Sequence, residues 1–196
     1  MRNCKSLLYR VRLLGRAMTI YEPAEASLLT KGAVHKLAES IATQVGWEPG
    51  SDIHSVISNL GGCVEIEDTL LTDPGQTGSL YVDGPQKFRI IVPSHTSPER
   101  DRFTIAHEFG HFVLHYLWQR QRNPSYPEKV VAFRHGSKRI EWEANWFAGA
   151  FLMPADLFRH AYEAKNGDLW QIADQFRVSS KAAEVRAKDL GLLPNG

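Results

Sequence analysis

Between Arg102 and Trp118 the sequence runs RFTIAHEFGHFVLHYLW, the stretch that most limits how this chain can fold. His107, His111 and His115 recur four apart, hence on one face of a helix, and Glu108 directly follows the first. Phe103, Ile105, Ala106, Phe109, Phe112, Val113, Leu114 and Leu117 make that helix apolar nearly all round, so it belongs inside the protein. Burying His, Glu and His within five residues costs several kcal/mol unless those groups find partners. A zinc ion is one such partner, because imidazoles on adjacent turns can meet a tetrahedral cation. Glu108 lies about 100° round the helix from His107, where it can face an activated water as a general base. The plainer alternative is a core helix whose histidines bond carbonyls or carboxylates.

A hydrolytic zinc site usually takes three protein donors and leaves a position for water. The pattern HExxHxxGxxH fails, since Leu114 and Leu117 occupy the Gly and third His positions. His115 lies about 12 Å of axial rise from His107, too far for one ion to be held by all three. It reads as a core histidine or a support to the ligands. The next donor lies in RIEWEANWFAGAFLMP, Arg139 to Pro154. Ile140, Ala144, Phe147, Ala150 and Phe151 surround Glu143 as an apolar stripe, whereas Glu141 sits about 200° away among Lys138, Asn145 and Ala148. A carboxylate on an apolar stripe must have its pKa raised or meet a cation. This predicts zinc held by His107, His111 and Glu143, between helices that approach closely at Gly110 and at Ala144, Ala148, Gly149 and Ala150. The alternative is that Glu143 pairs with an Arg or Lys.

The rest of the chain supports an α+β fold. Helical spacing runs from Ala24 to Val45, and Ser51 or Asp52 can cap a second helix ending at Gly61 and Gly62. Strand-like runs follow at 63–68, 78–83 and 87–93, with DGPQ as a hairpin turn between the last two. Ser97 and Pro98 open the histidine helix. Gln119 to Arg139 is polar, basic and broken by Pro124 and Pro127, a length that implies a functional or disordered connection. It also holds six basic residues against Glu128 alone, so it can select an acidic partner surface. Asp168 with Gln171 makes a capping-box-like start to a final helical pair.

With 43% hydrophobic residues and a net charge of +1, the chain is neither disordered nor saturated for nucleic acid. Five basic residues and no acid fall in 1–17, which reads as an extension outside the fold. The expected units are thus 1–17, a metal-site domain over 18–165, and a helix-turn-helix-like subdomain over 166–196. Two cysteines outside any CxxC pair suit a reduced, cytoplasmic protein, and no run of roughly 18 apolar residues could span a membrane.

SPERDRFTIAHEFGHFVLH and EWEANWFAGAFLMP together resemble the ImmA/IrrE family of metallopeptidases, a likeness extending from about Val34 to Leu193. The resemblance implies a zincin-like core with a small antiparallel sheet, two packed ligand helices and the C-terminal helical pair. It makes His107, His111 and Glu143 the zinc ligands and Glu108 the catalytic base. It also implies site-specific cleavage of a regulatory protein, such as a helix-turn-helix repressor or an antitoxin. Membrane peptidases with HExGH and ExEA are also similar, but need spanning helices.

The oxyanion donor stays open among Tyr81, His115, Tyr116, Tyr126 and His135. The strand GSLYVD can be a sheet member or an edge that pairs with substrate. A competing class is a metal-stabilised regulator or toxin–antitoxin component that binds its partner without turnover. Direct DNA binding by the last helices is disfavoured, since Glu184 and Asp189 dilute Lys181, Arg186 and Lys188.

Overall fold

The computed structural model describes residues 9–11, 19–68, 78–94, 97–133 and 137–194. Its strands are β1 (Tyr9–Val11), β2 (Thr19–Pro23), β3 (Gly62–Glu67), β4 (Gly78–Gly84), β5 (Lys87–Pro93) and β6 (Val130–Phe133). They form one sheet in the order β1-β2-β6-β4-β5-β3. The helices are α1 (Lys31–Gln44), α2 (Ile53–Asn59), α3 (Pro98–Phe112), α4 (Trp118–Arg122), α5 (Lys138–Leu152), α6 (Ala155–Ala164), α7 (Leu169–Phe176) and α8 (Ser180–Asp189). A π-helical turn, Val113–Leu117, makes α3 and α4 continuous.

Period-two alternation sorts the strands into two faces. Leu80, Val82, Phe88, Ile90, Val92, Val130 and Ala132 face the helices and join the main core, while Tyr21, Tyr81, Ile91 and Val131 cluster on the other side. The α+β expectation holds, but the sheet is mixed. The β4–β5 and β4–β6 pairs are antiparallel, whereas β3–β5 and β2–β6 are parallel. A tight turn forces the β4–β5 hairpin to be antiparallel, but β3 reaches the far side of β5 and is free of that constraint.

Gln119–Arg139 is not a plain loop. Its VVAF segment becomes β6, a buried strand between β2 and β4. GSLYVD is therefore interior rather than an edge, because β6 and β5 take both its sides. Arg120 and Arg139 turn inward: Arg120 lies over Tyr116 and donates to the Tyr126 carbonyl, and Arg139 lies over Trp146. Arg134 and His135 lie outside the described residues.

The first helix begins later than its sequence periodicity implies. Thr30 caps it by accepting from Ala33, and residues 24–30 instead form a non-helical strap with Leu28 at φ 61°. Ser97, Asp52 and Asp168 cap their helices as expected, and Gln171 returns a bond to Asp168. Of residues 1–17, Tyr9–Val11 pair with β2. The last helices pack onto the domain: Arg186 is buried and donates to the Met153 carbonyl and to Glu39 on α1. Among the described residues no helix is long and apolar enough to cross a membrane.

Candidate metal centre

Helices α3 and α5 position the site. A Cβ added at Gly110 would fall 3.1 Å from Phe147 and 3.2 Å from the Ala144 carbonyl oxygen, so glycine lets the two backbones approach closely without displacing either neighbour. Phe109 packs edge-on against Phe147 and Phe151 to lock the crossing.

His107, Glu108 and His111 come together as the sequence predicts, their donor atoms within 4.8 Å of one another. The two Nε2 atoms are 3.0 Å apart. The carboxylate beside them is Glu141, whose Oε2 is 3.3 Å from His107 Nε2 and whose Oε1 is 3.6 Å from His111 Nε2. Glu141 Oε1 is buried and has no hydrogen-bond partner. His107 Nδ1 lies 3.0 Å from Asn145 Oδ1, an acceptor, which leaves the Nε2 side for the shared point.

Glu143 is placed away from the shared point, on His115, Ser27 and Arg139. Fully buried, it accepts from Ser27 N and Oγ at 2.8 Å each, Leu28 N at 3.0 Å, Arg139 Nε at 2.6 Å and His115 Nε2 at 2.9 Å. Burial alone would raise its pKa, but the bonds from His115, Ser27 and Arg139 overcome this and hold it at about 2. The apolar stripe around Glu143 correctly marks the most buried carboxylate. Its demand for a cation is met by Arg139, the alternative left open in the sequence.

Electrostatics mark the point between His107, His111 and Glu141 as one that calls for positive charge. Burial opposes protonation of His107, yet Glu141, Glu108 and Asn145 overcome it and raise its pKa. Burial, with His107 and His115 adding to it, holds His111 well below the usual histidine value. Two imidazole nitrogens and an orphaned carboxylate oxygen thus converge, which fits a tetrahedral cation of nitrogen and oxygen preference.

The other sequence candidates have separate duties. His115 bridges His111 and Glu143, so its reading as a support is the one its contacts match. Tyr81 OH accepts from Gly78 N, and Tyr126 OH donates to the His115 carbonyl. Tyr116 OH is buried without a partner, and His135 lies outside the described residues. The sequence reading set Glu141 aside in favour of Glu143 and gave no role to Asn145 or Ser27. The signal for Glu141 and Asn145 was their i,i+4 spacing on one face of α5.

A groove of about 1410 Å³ runs along the first turn of α3, α5, α7 and α8, with Phe103, Asn145 and Trp146 in its wall. Asn145 also holds His107, so the groove abuts the histidine pair.

Fold and site together define a helix–sheet domain with a His–Glu–His centre at the crossing of two helices. Residues 67–188 match the IrrE N-terminal-like domain of the M78 peptidases, and the chain belongs to that family. It is 32% identical over 137 residues to the radiation response metalloprotease IrrE of Deinococcus deserti, covering 69% of this chain and 45% of that protein. The Deinococcus radiodurans protein of the same description is 32% identical over 79 residues, 40% of this chain and 22% of its own. The chain thus spans less than half the length of these curated relatives. A solved Mycobacterium tuberculosis transcriptional regulator shares the fold at a TM-score of 0.56 and 21% identity, over 80% of this chain and 47% of that one.

Proposed function

We propose that this chain is a zinc-dependent endopeptidase that cleaves a regulatory protein, such as a helix-turn-helix repressor or an antitoxin. The observation that carries the reading is the convergence of His107 Nε2, His111 Nε2 and the partnerless Glu141 oxygen beside buried Glu108. His107, His111 and Glu141 hold the ion. When bound, zinc supplies Lewis acidity towards a carbonyl and acidifies water.

Glu108 does the proton work. Its carboxylate takes a proton from the attacking water and returns it to the leaving amine nitrogen. Asn145 orients the His107 ring through Nδ1. The groove beside Asn145 takes an extended segment of the substrate, with Trp146 and the exposed Trp170 offering apolar contacts. The likeness to proteins described as metalloproteases supports peptide-bond hydrolysis as the reaction class.

The test is co-expression with a helix-turn-helix protein from the same genomic neighbourhood, comparing the parent with Glu108→Gln. The expected result is cleavage by the parent only, with about one zinc per chain in both. Equal biological effect from both forms would replace the peptidase by a regulator that binds without turnover.

A further inference from the structure

Outside the three groups that converge on the ion lies a polar chain that the proposed mechanism does not use. Glu143 Oε2 meets His115 Nε2 at 2.9 Å, and His115 Nδ1 meets His111 Nδ1 at 2.9 Å. All three side chains are at most 1% exposed, so these bonds lie away from bulk solvent.

The direction of each bond can be derived. Ser27 N, Leu28 N and Arg139 Nε can only donate, so both Glu143 oxygens act as acceptors. His115 Nε2 must then carry a hydrogen. A charged His115 would place a fully buried cation on a carboxylate already paired with Arg139, at a cost of several kcal/mol. His115 is therefore neutral and its Nδ1 accepts. His111 Nδ1 must donate, which leaves the lone pair on His111 Nε2, the atom that faces His107 and Glu141. The π turn, closed by Trp118 N–H on the Val113 carbonyl, carries His115 between these two partners.

We propose that Glu143 and His115 are positioning residues: they fix the tautomer and ring orientation of His111 so that its Nε2 is presented to the ion. This rests on the metal-site reading for its purpose, but the tautomers stand without it. The same carboxylate clasps the strap at Ser27 and Leu28, so the strap, Glu143, His115 and His111 form one connected line.

The test uses the full chain labelled with ¹⁵N at histidine and stripped of metal, read by two-bond ¹H–¹⁵N correlation. His111 is expected as the Nδ1–H tautomer and His115 as Nε2–H. In His115→Phe, His111 should shift towards Nε2–H, and zinc affinity by chelator competition should fall roughly 10- to 100-fold with one site retained. His111 protonated at Nε2 in the parent, or His115→Phe within about twofold of the parent's affinity, overturns the proposal. Should His115→Phe not fold, the parent's tautomers still decide. A parent with these tautomers that takes up no zinc would sink the proposed function and leave the relay standing.

Discussion

In the proposed function, two glutamates two residues apart on α5 have opposite duties. Glu143 is at 0% side-chain exposure and Glu141 at 23%. A ligand in a site that must admit water and substrate belongs at the rim, which is why the proposal gives the deeper carboxylate the structural role. The apolar stripe around Glu143 was legible; Ser27 and Leu28 were not, because the strap reaches it across more than a hundred residues of sequence. Glu143→Ala should strand Arg139, His115 and two backbone N–H groups, costing about 3–5 kcal/mol in urea denaturation. Glu141→Gln should leave stability within about 1 kcal/mol, since no hydrogen bond satisfies its Oε1, and abolish tight zinc binding. Comparable unfolding free energies for the two variants would contradict this division.

At the scale of elements, capping and turn chemistry transferred well from sequence to structure. Ser97, Asp52 and Asp168 act locally, through donors two or three residues on, and local rules find them. β6 escaped because four apolar residues among prolines and arginines carry no alternation, and only pairing with β2 and β4 makes them a strand. Helix crossing was legible at Gly110, where small residues on both helices implied close approach. Gly110→Ala should push α3 from α5 and cost about 1–3 kcal/mol. The same variant should weaken zinc binding, since His107 and His111 ride on α3 and Glu141 on α5. Unchanged stability and metal affinity would show that the crossing tolerates a methyl group.

Across the whole molecule, α8 is tied to α1 by a polar cluster around buried Arg186. Arg186 donates to Glu39 at 2.5 Å, Lys31 pairs with Asp189 at 2.5 Å, and His35 lies among them, 3.8 Å from Asp189. Burial, then Arg186, lowers the His35 pKa from 6.5 to about 4, against the pull of Asp189 and Glu39. Above pH 6.5 both states are neutral and the contribution is complete. As pH falls, the unfolded chain binds a proton that the folded chain refuses, so stability declines until about pH 4. Between pH 7 and pH 5 the parent should lose about 2 kcal/mol more than His35→Gln in denaturant titrations. Parallel pH profiles for the two would mean that the α1–α8 contact leaves His35 free to protonate.

The central claim, a metal held by His107, His111 and Glu141 beside Glu108, is tested most directly by anomalous diffraction at the zinc edge from crystals of the zinc-loaded chain. The account predicts one peak bonded to His107 Nε2, His111 Nε2 and a Glu141 oxygen, with Glu143 still on His115 and Ser27. A peak coordinated by Glu143, or no peak at this site, would contradict it.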